Sequence, residues 1–184
     1  MRYALGVDMG GTWIRAALGT DEGAMLRRLT APVDPFADNS SIITLLEKLI
    51  LDVAGECFKE TEGIGIAAAG KLNLKRSTIV YSPHTSIRSL SIESISEKFQ
   101  KPVTLLNDGV AAALAEWKLG AGKDHENVVY IGIGTGIGGG IVVDGHLLLG
   151  KEGNAHEVGH MVIDSGGAIE CDCGGRGHWE AYTS

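Results

Sequence analysis

The chain is poor in cysteine and has no block of basic residues, and these two shortages exclude several classes of protein. Three cysteines among 184 residues cannot form the disulfide framework of a small secreted protein, and so sparse a count suits a reducing compartment. The formal net charge is −7, and lysine and arginine are scattered along the sequence. This charge argues against a nucleic-acid-binding surface.

Patterns typical of secretion or membrane anchoring are also missing. The apolar stretch at residues 1–7 is too short for a signal peptide, and Asp8 interrupts it. Residues 127–143 carry no charge, but their glycines and β-branched residues favour strands, and the stretch is shorter than the ~20 residues of a membrane helix. We therefore expect a soluble, cytoplasmic protein with neither a membrane nor a nucleic-acid partner.

Glycine, in contrast, is abundant, with 27 residues, or about twice the usual share. Residues 132–140 read GIGTGIGGG, residues 8–12 read DMGGT, and each segment lies between apolar, strand-like stretches. Glycine lets the backbone approach an anion closely and point several N–H groups at it. The two turns therefore predict a protein that holds the phosphates of a nucleotide from two sides.

Two other interpretations of the glycine run remain open. Gly134, Gly136 and Gly139 match the G-x-G-x-x-G pattern of dinucleotide-binding folds, but that pattern requires a helix after the glycines. Here Ile141, Val142 and Val143 follow, which predicts a strand. The second alternative is a glycine-rich hairpin without a ligand, although glycine weakens strands and six glycines in nine residues call for a reason.

The order of elements indicates an α/β fold in which helices pack on a mixed sheet. We predict a hairpin over residues 2–19, a helix that follows Ser40 and Ser41, and further helices over residues 91–99 and 110–119. A polar break at residues 120–126 suggests a boundary between a small lobe at 1–119 and the start of a large lobe at 120–184.

Two polar segments at the predicted ends of strands have the residue types of phosphoryl transfer. Asp8 follows the first strand, and a carboxylate beside bound phosphates needs a cation such as Mg²⁺ between them; the alternative is an aspartate that caps its own turn. Asn107 and Asp108 join a strand to a helix, where both residues are good caps. Beside a phosphate site, Asp108 could also orient an attacking hydroxyl and accept its proton.

The last segment contains the residues of a metal site. His160, Cys171, Cys173 and His178 lie within 19 positions among glycines, and such a set can close a tetrahedral, structural Zn²⁺ site. A Cys171–Cys173 disulfide is the alternative, but it would be strained at this spacing. His156–His160 also has the letters of the H-E-x-x-H protease motif, although Val158 and Gly159 weaken a helix there.

Taken together, five segments resemble the ROK family of sugar kinases and repressors, in family order over almost the whole chain. The resembling segments are residues 8–12, 106–108, 134–140, 157–160 and 171–180. The resemblance implies the actin-like ATPase (ribonuclease H-like) fold, with two lobes around a cleft. It also implies an ATP-dependent kinase that phosphorylates a hexose or N-acylhexosamine, usually at the 6-hydroxyl.

The resemblance also assigns roles to individual residues. Asp108 is the expected catalytic base, and Asn107 is expected to contact the sugar beside it. Glu157, His160 and Glu180 are the expected ligands of sugar hydroxyls, with one ring nitrogen of His160 on zinc and the other facing the sugar. The residues expected to hold ATP phosphates with Mg²⁺ are Asp8, Gly10, Gly11, Thr12, Gly134, Thr135, Gly136, Gly138 and Gly139.

The chain departs from the family pattern at three places. His178 stands where the family usually has a third cysteine, and His84 stands where it has a sugar-side asparagine. Full members also continue past the zinc motif, so we expect an incomplete second lobe, and little or no kinase activity in a polypeptide that ends at Ser184. We further expect a homodimer or larger homo-oligomer.

Two alternatives to a kinase stay open within this resemblance. A sugar-responsive repressor would carry a winged helix-turn-helix ahead of Asp8, where only residues 1–7 precede it. The other alternative is a non-catalytic fragment that binds sugar and zinc.

Overall fold

The computed structural model describes residues 1–82 and 85–183. These residues form two compact units, Met1–Asp108 and Gly109–Ser184. The first unit contains the strands β1 (Tyr3–Met9), β2 (Trp13–Thr20), β3 (Met25–Pro32), β4 (Thr61–Ala68), β5 (Lys71–Asn73), β6 (Thr78–Tyr81), β7 (Arg88–Ser91) and β8 (Val103–Asn107) and the helices α1 (Asn39–Ala54) and α2 (Glu93–Phe99). Helix α3 (Asp108–Leu119) begins at the boundary, and β9 (Val128–Ile133), β10 (Ile137–Val143), β11 (His146–Leu147) and α4 (Glu180–Thr183) follow.

The first unit is built on a five-stranded sheet in the order β3-β2-β1-β4-β8. The pairs β1–β2 and β2–β3 are antiparallel, whereas β1–β4 and β4–β8 are parallel. A smaller antiparallel sheet, β5-β6-β7, belongs to the same unit. The predicted mixed sheet is therefore confirmed.

The core of the first unit consists of apolar side chains at alternate positions of the strands and of the apolar face of helix α1. Leu5, Val7 and Met9 of β1 are buried at every second position, as expected for a strand that turns one face to the core. Helix α1 buries residues at the spacing of one helix face, namely Ile42, Leu46, Leu49, Ile50 and Val53. This apolar face of α1 packs against β2 and β3 and covers one side of the sheet there.

The start of α1 differs from the prediction. The helix begins at Asn39, and its N-cap is Asp38, whose Oδ1 accepts the Ser41 N–H at 2.8 Å. Ser40 and Ser41 therefore lie inside the first turn rather than before it. Aspartate caps well because its carboxylate satisfies an N–H that has no partner within the helix.

The second unit is organised around the β9–β10 hairpin, whose antiparallel strands enclose the glycine turn at residues 134–136. A strand follows the glycines, as predicted, so the helix of a dinucleotide-binding fold is not present at this position. Helix α3 packs on β10, since a Cβ built on Gly140 would lie 2.4 Å from the Ala113 Cβ and 2.7 Å from the Gly109 oxygen.

In the sequence, the two compact units meet after Asp108, and the predicted lobe boundary after residue 119 stays a prediction. The polar break at 120–126 connects two elements of the second unit, α3 and β9. The assignment of the two segments to lobes stays a prediction. No helix within the described ranges is long and apolar enough to cross a membrane.

Candidate active site and metal centre

One edge of the five-stranded sheet brings the two polar segments of the first unit together. Met9 of β1 pairs with Ala68 of β4, and Ala68 pairs with Asn107 of β8. All three strands are parallel, so their carboxyl ends lie at the same edge of the sheet. Because β4 lies between them, β1 and β8 are about 10 Å apart at the usual strand spacing. The glycine turn after β1 and Asp108 after β8 thus lie at the same edge of one sheet, the common place for ligand sites in such sheets.

Some backbone groups of the turn after β1 are already engaged in hydrogen bonds within the first unit. The Gly10 N–H donates to the Trp13 oxygen at 3.0 Å, and the Thr12 oxygen accepts the Val33 N–H at 2.9 Å. Gly11 is half-buried and Thr12 is exposed. The Gly10 N–H therefore closes the hairpin, and any phosphate contact of this turn falls mainly to Gly11 and Thr12.

Asp8 has a cationic neighbour that the sequence analysis missed. Asp8 and Arg15 are directly opposite in the β1–β2 pair, and the Arg15 Nη1 donates to the Asp8 Oδ2 at 2.9 Å. Both side chains are nearly half exposed, so the carboxylate also faces solvent. Asp8 and Arg15 are not adjacent in the sequence, so the pair is easily overlooked. In a hairpin, however, residues that lie directly opposite one another point to the same face of the sheet, and this rule could have placed Arg15 beside Asp8.

Asn107 and Asp108 differ in exposure although they are neighbours. Asn107 is the last residue of β8 and is 7% exposed. Asp108 is the first residue of α3, and it is exposed. A carboxylate in the first turn of a helix is favoured by the helix dipole, and its exposure leaves it accessible to a hydroxyl group.

Four glycines of the β9–β10 hairpin fall into two groups. A Cβ on Gly134 or on Gly138 would meet no atom within 4 Å. A Cβ on Gly139 would lie 2.7 Å from the Val158 Cγ2, and Gly140 has the close helix neighbours described above. Packing therefore explains Gly139 and Gly140, whereas Gly134 and Gly138 border open space where a ligand can approach the backbone.

Gly136 belongs to neither group, because its neighbour is a carboxylate. The Ile137 N–H, just after the turn, donates to the Glu180 Oε2 at 2.7 Å. A Cβ on Gly136 would lie 2.4 Å from the same oxygen. Glu180, the first residue of α4, is thus held against the glycine turn. Thr135, between Gly134 and Gly136, is exposed.

The structure brings the four predicted metal ligands together. One donor atom from each of His160, Cys171, Cys173 and His178 lies within 4.8 Å of every other. The Cys171 Sγ is 3.8 Å from the His160 Nδ1, and the Cys173 Sγ is 3.3 Å from the His178 Nδ1. Tetrahedral zinc with these ligands needs separations of about 3.3–3.8 Å, so the set fits the ion after a contraction of roughly 1 Å.

A tight turn shapes the cysteine segment. The Cys171 N–H donates to the Gly175 oxygen and the Gly174 N–H donates to the Cys171 oxygen, both at 2.8 Å. Gly174 has a φ of 87°, in the region that favours glycine. A Cβ on Gly175 would lie 2.3 Å from the His178 ring. These two glycines therefore let the chain fold back and place both cysteines beside His178.

The structure does not support the alternatives to this centre. Cys171 and Cys173 are free thiols. His156 is buried and its Nε2 lies 3.0 Å from the Gly153 oxygen, and residues 158–160 form a single 3-10 turn instead of a protease helix. Burial raises the pKa of the Cys171 thiol, so without an ion this group stays protonated at neutral pH.

His160 faces two different groups with its two ring nitrogens. Its Nδ1 is directed at Cys171, and its Nε2 lies 3.6 Å from the Glu157 Oε2. About a third of the His160 side chain and nearly half of the Glu157 side chain are exposed. A carboxylate beside Nε2 helps fix the orientation of the ring and leaves Nδ1 facing the Cys171 sulfur, where it could serve as a metal ligand.

Asp164 is a further residue that the sequence analysis missed. Its carboxylate accepts the N–H groups of Gly166 and Ala168 at 2.9 and 3.1 Å and the hydroxyl of Tyr182. The Tyr182 hydroxyl and these N–H groups hold the pKa of Asp164 below its usual value. The D-S-G-G letters at 164–167 signal a turn, but the reach to Tyr182 depends on tertiary structure. His84, the predicted departure on the sugar side, lies outside the described residues.

Solved structures resemble the whole described chain. The ROK family glucokinase from Streptomyces griseus, in complex with glucose and AMPPNP, superposes with a TM-score of 0.84 at 34% identity over 99% of this chain and 57% of that one. The ROK hexokinase from Thermus thermophilus gives 0.85 at 34% identity, with 97% and 59% covered. A ROK family transcriptional regulator gives 0.86 at 30%, with 99% and 46% covered. These matches confirm the predicted actin-like ATPase fold.

Sequence relatives include both kinases and repressors. The glucokinase of Pyrobaculum calidifontis is 39% identical over 186 residues, covering 100% of this chain and 57% of the relative. The glucokinase of Streptomyces coelicolor is 37% identical over 187 residues with the same coverage. The xylose repressor of Bacillus subtilis is 35% identical over 187 residues, covering 99% of this chain and 48% of the repressor.

The chain spans little more than half the length of the relatives it matches. The model of the ROK family matches residues 4–184, a range that includes both glycine turns, Asn107, Asp108 and the cluster of His160, Cys171, Cys173 and His178. The chain therefore belongs to the ROK family.

Proposed function

We propose that the protein transfers the terminal phosphoryl group of ATP to a hydroxyl group of a hexose or N-acylhexosamine, at the 6-position. The observation that carries the proposal is the shared sheet edge in the first unit, where the glycine turn after β1 and Asp108 after β8 flank β4. Phosphoryl transfer needs a phosphate cradle and a carboxylate that orients the attacking hydroxyl. Glucokinases at 39% and 37% identity support the same reaction class.

Asp108 is the proposed base. Its carboxylate accepts a hydrogen bond from the sugar hydroxyl, aligns the oxygen for in-line attack, and takes the proton as the new P–O bond forms. The bond from the terminal phosphorus to the bridging oxygen breaks, and ADP leaves with that electron pair. The buried Asn107 amide is the proposed contact to a neighbouring sugar hydroxyl.

Gly11 and Thr12 of the first unit and residues 134–138 of the second are the proposed phosphate-binding residues. Gly10 and Gly139 are proposed to hold the backbone of these two turns in place. A Mg²⁺ ion, when bound, neutralises charge on the phosphates during transfer. Asp8 is the proposed residue on the hydration shell of that ion, and its exposed carboxylate suits the role.

The second unit contributes three further proposed sugar ligands, Glu157, His160 and Glu180. The exposed edges of Glu157 and His160 can accept from and donate to hydroxyl groups. A Zn²⁺ ion held by His160, Cys171, Cys173 and His178 would have four protein ligands and no open position, so its role is to fix the turn and the His160 ring.

A panel assay tests this function. The protein, purified as its own cells make it, is incubated with ATP, Mg²⁺ and hexoses or N-acylhexosamines, and phosphate transfer is followed by ³¹P NMR. We expect a 6-phosphate ester of at least one sugar and none of its 6-deoxy analogue. Absence of any sugar phosphate across the panel would contradict the proposal.

A sugar-binding regulator without kinase activity is the second candidate, and a repressor at 35% identity favours it. Binding and turnover separate the two: a regulator binds a sugar with no ATP consumption. The same distinction applies to a non-catalytic fragment that binds sugar and zinc.

A further inference from the structure

Ile137, the first residue of β10, is held on two sides by segments that carry proposed sugar ligands. Its N–H donates to the Glu180 Oε2 at 2.7 Å. A Cβ on Gly159, within the 157–160 turn, would lie 2.3 Å from the Ile137 oxygen. The residue directly after the glycine turn is therefore fixed by Glu180 and by the backbone next to His160.

Gly136 lies directly against the Glu180 carboxylate. A Cβ there would lie 2.4 Å from the Glu180 Oε2 and 3.1 Å from its Cδ, whereas Cβ atoms on Gly134 and Gly138 meet nothing within 4 Å. Any larger residue at 136 would push the carboxylate off the Ile137 N–H. Glycine at position 136 therefore leaves the space that the Glu180 carboxylate occupies.

Glu180 also faces the metal centre, since its Oε1 lies 4.0 Å from the Cys171 Sγ. A carboxylate has about four lone-pair sites, so it can accept the Ile137 N–H and a sugar hydroxyl together. A hydroxyl bound there would restrict the carboxylate to one orientation and so hold the end of the glycine turn.

We propose that Glu180 is a positioning residue that couples sugar binding to the phosphate-binding turn at 134–136, through its hydrogen bond to the Ile137 N–H and its contact with Gly136. The inference rests on the proposed function and names a coupling that the function does not require. Sugar and nucleotide then bind cooperatively, and the linkage is reciprocal, so each ligand strengthens the other by the same factor.

Calorimetry of the whole protein tests the coupling. The Kd of a non-hydrolysable ATP analogue is measured with and without saturating sugar, and the ratio of the two values is the readout. We expect a ratio of roughly five or more in the wild type, the lower end of typical allosteric couplings, and a ratio close to one in Gly136→Ala. Gly6→Ala is the matched control, because an added Cβ there meets no atom within 4 Å and the residue lies outside the proposed site; it should keep the wild-type ratio.

The outcomes distinguish this inference from the proposed function. A wild type that binds neither sugar nor the analogue overturns the function itself. A wild type that binds both with a ratio of one, or a Gly136→Ala variant that keeps the wild-type ratio, overturns the coupling alone.

Hydrogen exchange in the wild type gives a second readout that needs no variant. Sugar alone should slow exchange of the Ile137 amide several-fold and leave the Val128 amide, at the far end of the hairpin, unchanged. An Ile137 amide that exchanges equally fast with and without bound sugar would also overturn the coupling.

Discussion

The Asp8 carboxylate and the Arg15 guanidinium face each other across the β1–β2 pair, with the Arg15 Nη1 2.9 Å from the Asp8 Oδ2. The cation neutralises part of the charge that Asp8 would offer to a metal ion. In the proposed function, Arg15 and Mg²⁺ would therefore compete for one carboxylate, and we expect this competition to raise the Mg²⁺ concentration that turnover needs.

We expect Asp8→Asn to raise the Mg²⁺ concentration needed for half-maximal turnover roughly tenfold or more, since a charge-assisted hydrogen bond contributes about 1.5–3 kcal/mol. Arg15→Gln should lower that concentration. Both variants should lose at most about 1 kcal/mol of stability, because the pair is nearly half exposed and screened by solvent. A Mg²⁺ titration of ATP turnover measures the effect, and an unchanged Mg²⁺ requirement in Asp8→Asn would remove Asp8 from the role.

Substitutions in the two groups of glycines in the β9–β10 hairpin should have different effects, one on the stability of the fold and the other on nucleotide binding. Gly140→Ala forces a methyl group against Ala113 and the Gly109 backbone, and such overpacking costs about 1–3 kcal/mol. Gly138→Ala enters open space, so it should unfold at nearly the wild-type urea concentration but bind the ATP analogue more weakly. Urea titration and calorimetry on both variants check this, and a Gly138→Ala variant with wild-type analogue affinity would contradict the phosphate role of that position.

Metal analysis of protein prepared without chelator should find about one zinc per chain. Cys173→Ala should lose the metal and weaken sugar binding, because the His160 ring loses its anchor. Cys57→Ala is the matched control, since this half-buried free cysteine lies in the other unit. Zinc-free wild type, or full zinc occupancy in Cys173→Ala, would rule out the proposed centre.

Asp164 should make the second unit sensitive to acid. Hydrogen bonds from Tyr182, Ala168 and Gly166 lower its folded pKa, so its contribution is present above the unfolded value of about 3.9 and is lost as pH falls through the folded value. Asp164→Asn should therefore be less stable than the wild type at pH 7, and the difference should shrink below about pH 4. Urea midpoints of chelator-treated protein at both pH values measure this, with the exposed Asp124→Asn as control. A difference that stays constant with pH would assign the effect to packing.

Features encoded in short stretches of sequence could be predicted. The spacing of cysteines, histidines and glycines over 156–178 predicts that His160, Cys171, Cys173 and His178 come together, as they do, because a turn of a few residues is enough to bring them close. The glycine hairpins were equally visible, since φ freedom and flanking apolar alternation are local properties.

Features that depend on a neighbouring element could not be predicted. Strand β3 is exposed at nearly every position, so it lacks the alternation that signals a strand. The different reasons for Gly136, Gly138 and Gly140 appear only when Glu180 and α3 are in place. The packing of α3 on β10 is likewise a contact between elements that are separate in the sequence.

The catalytic role of Asp108 is the central claim, and kcat of Asp108→Asn tests it most directly. The variant keeps the shape of the side chain but removes the proton acceptor, so kcat should fall roughly 100-fold or more. Sugar affinity, measured by calorimetry on the same preparation, should change much less. We expect Asp108→Asn to bind sugar and to turn over ATP far more slowly than the wild type; a near-wild-type kcat would contradict the proposed role of Asp108.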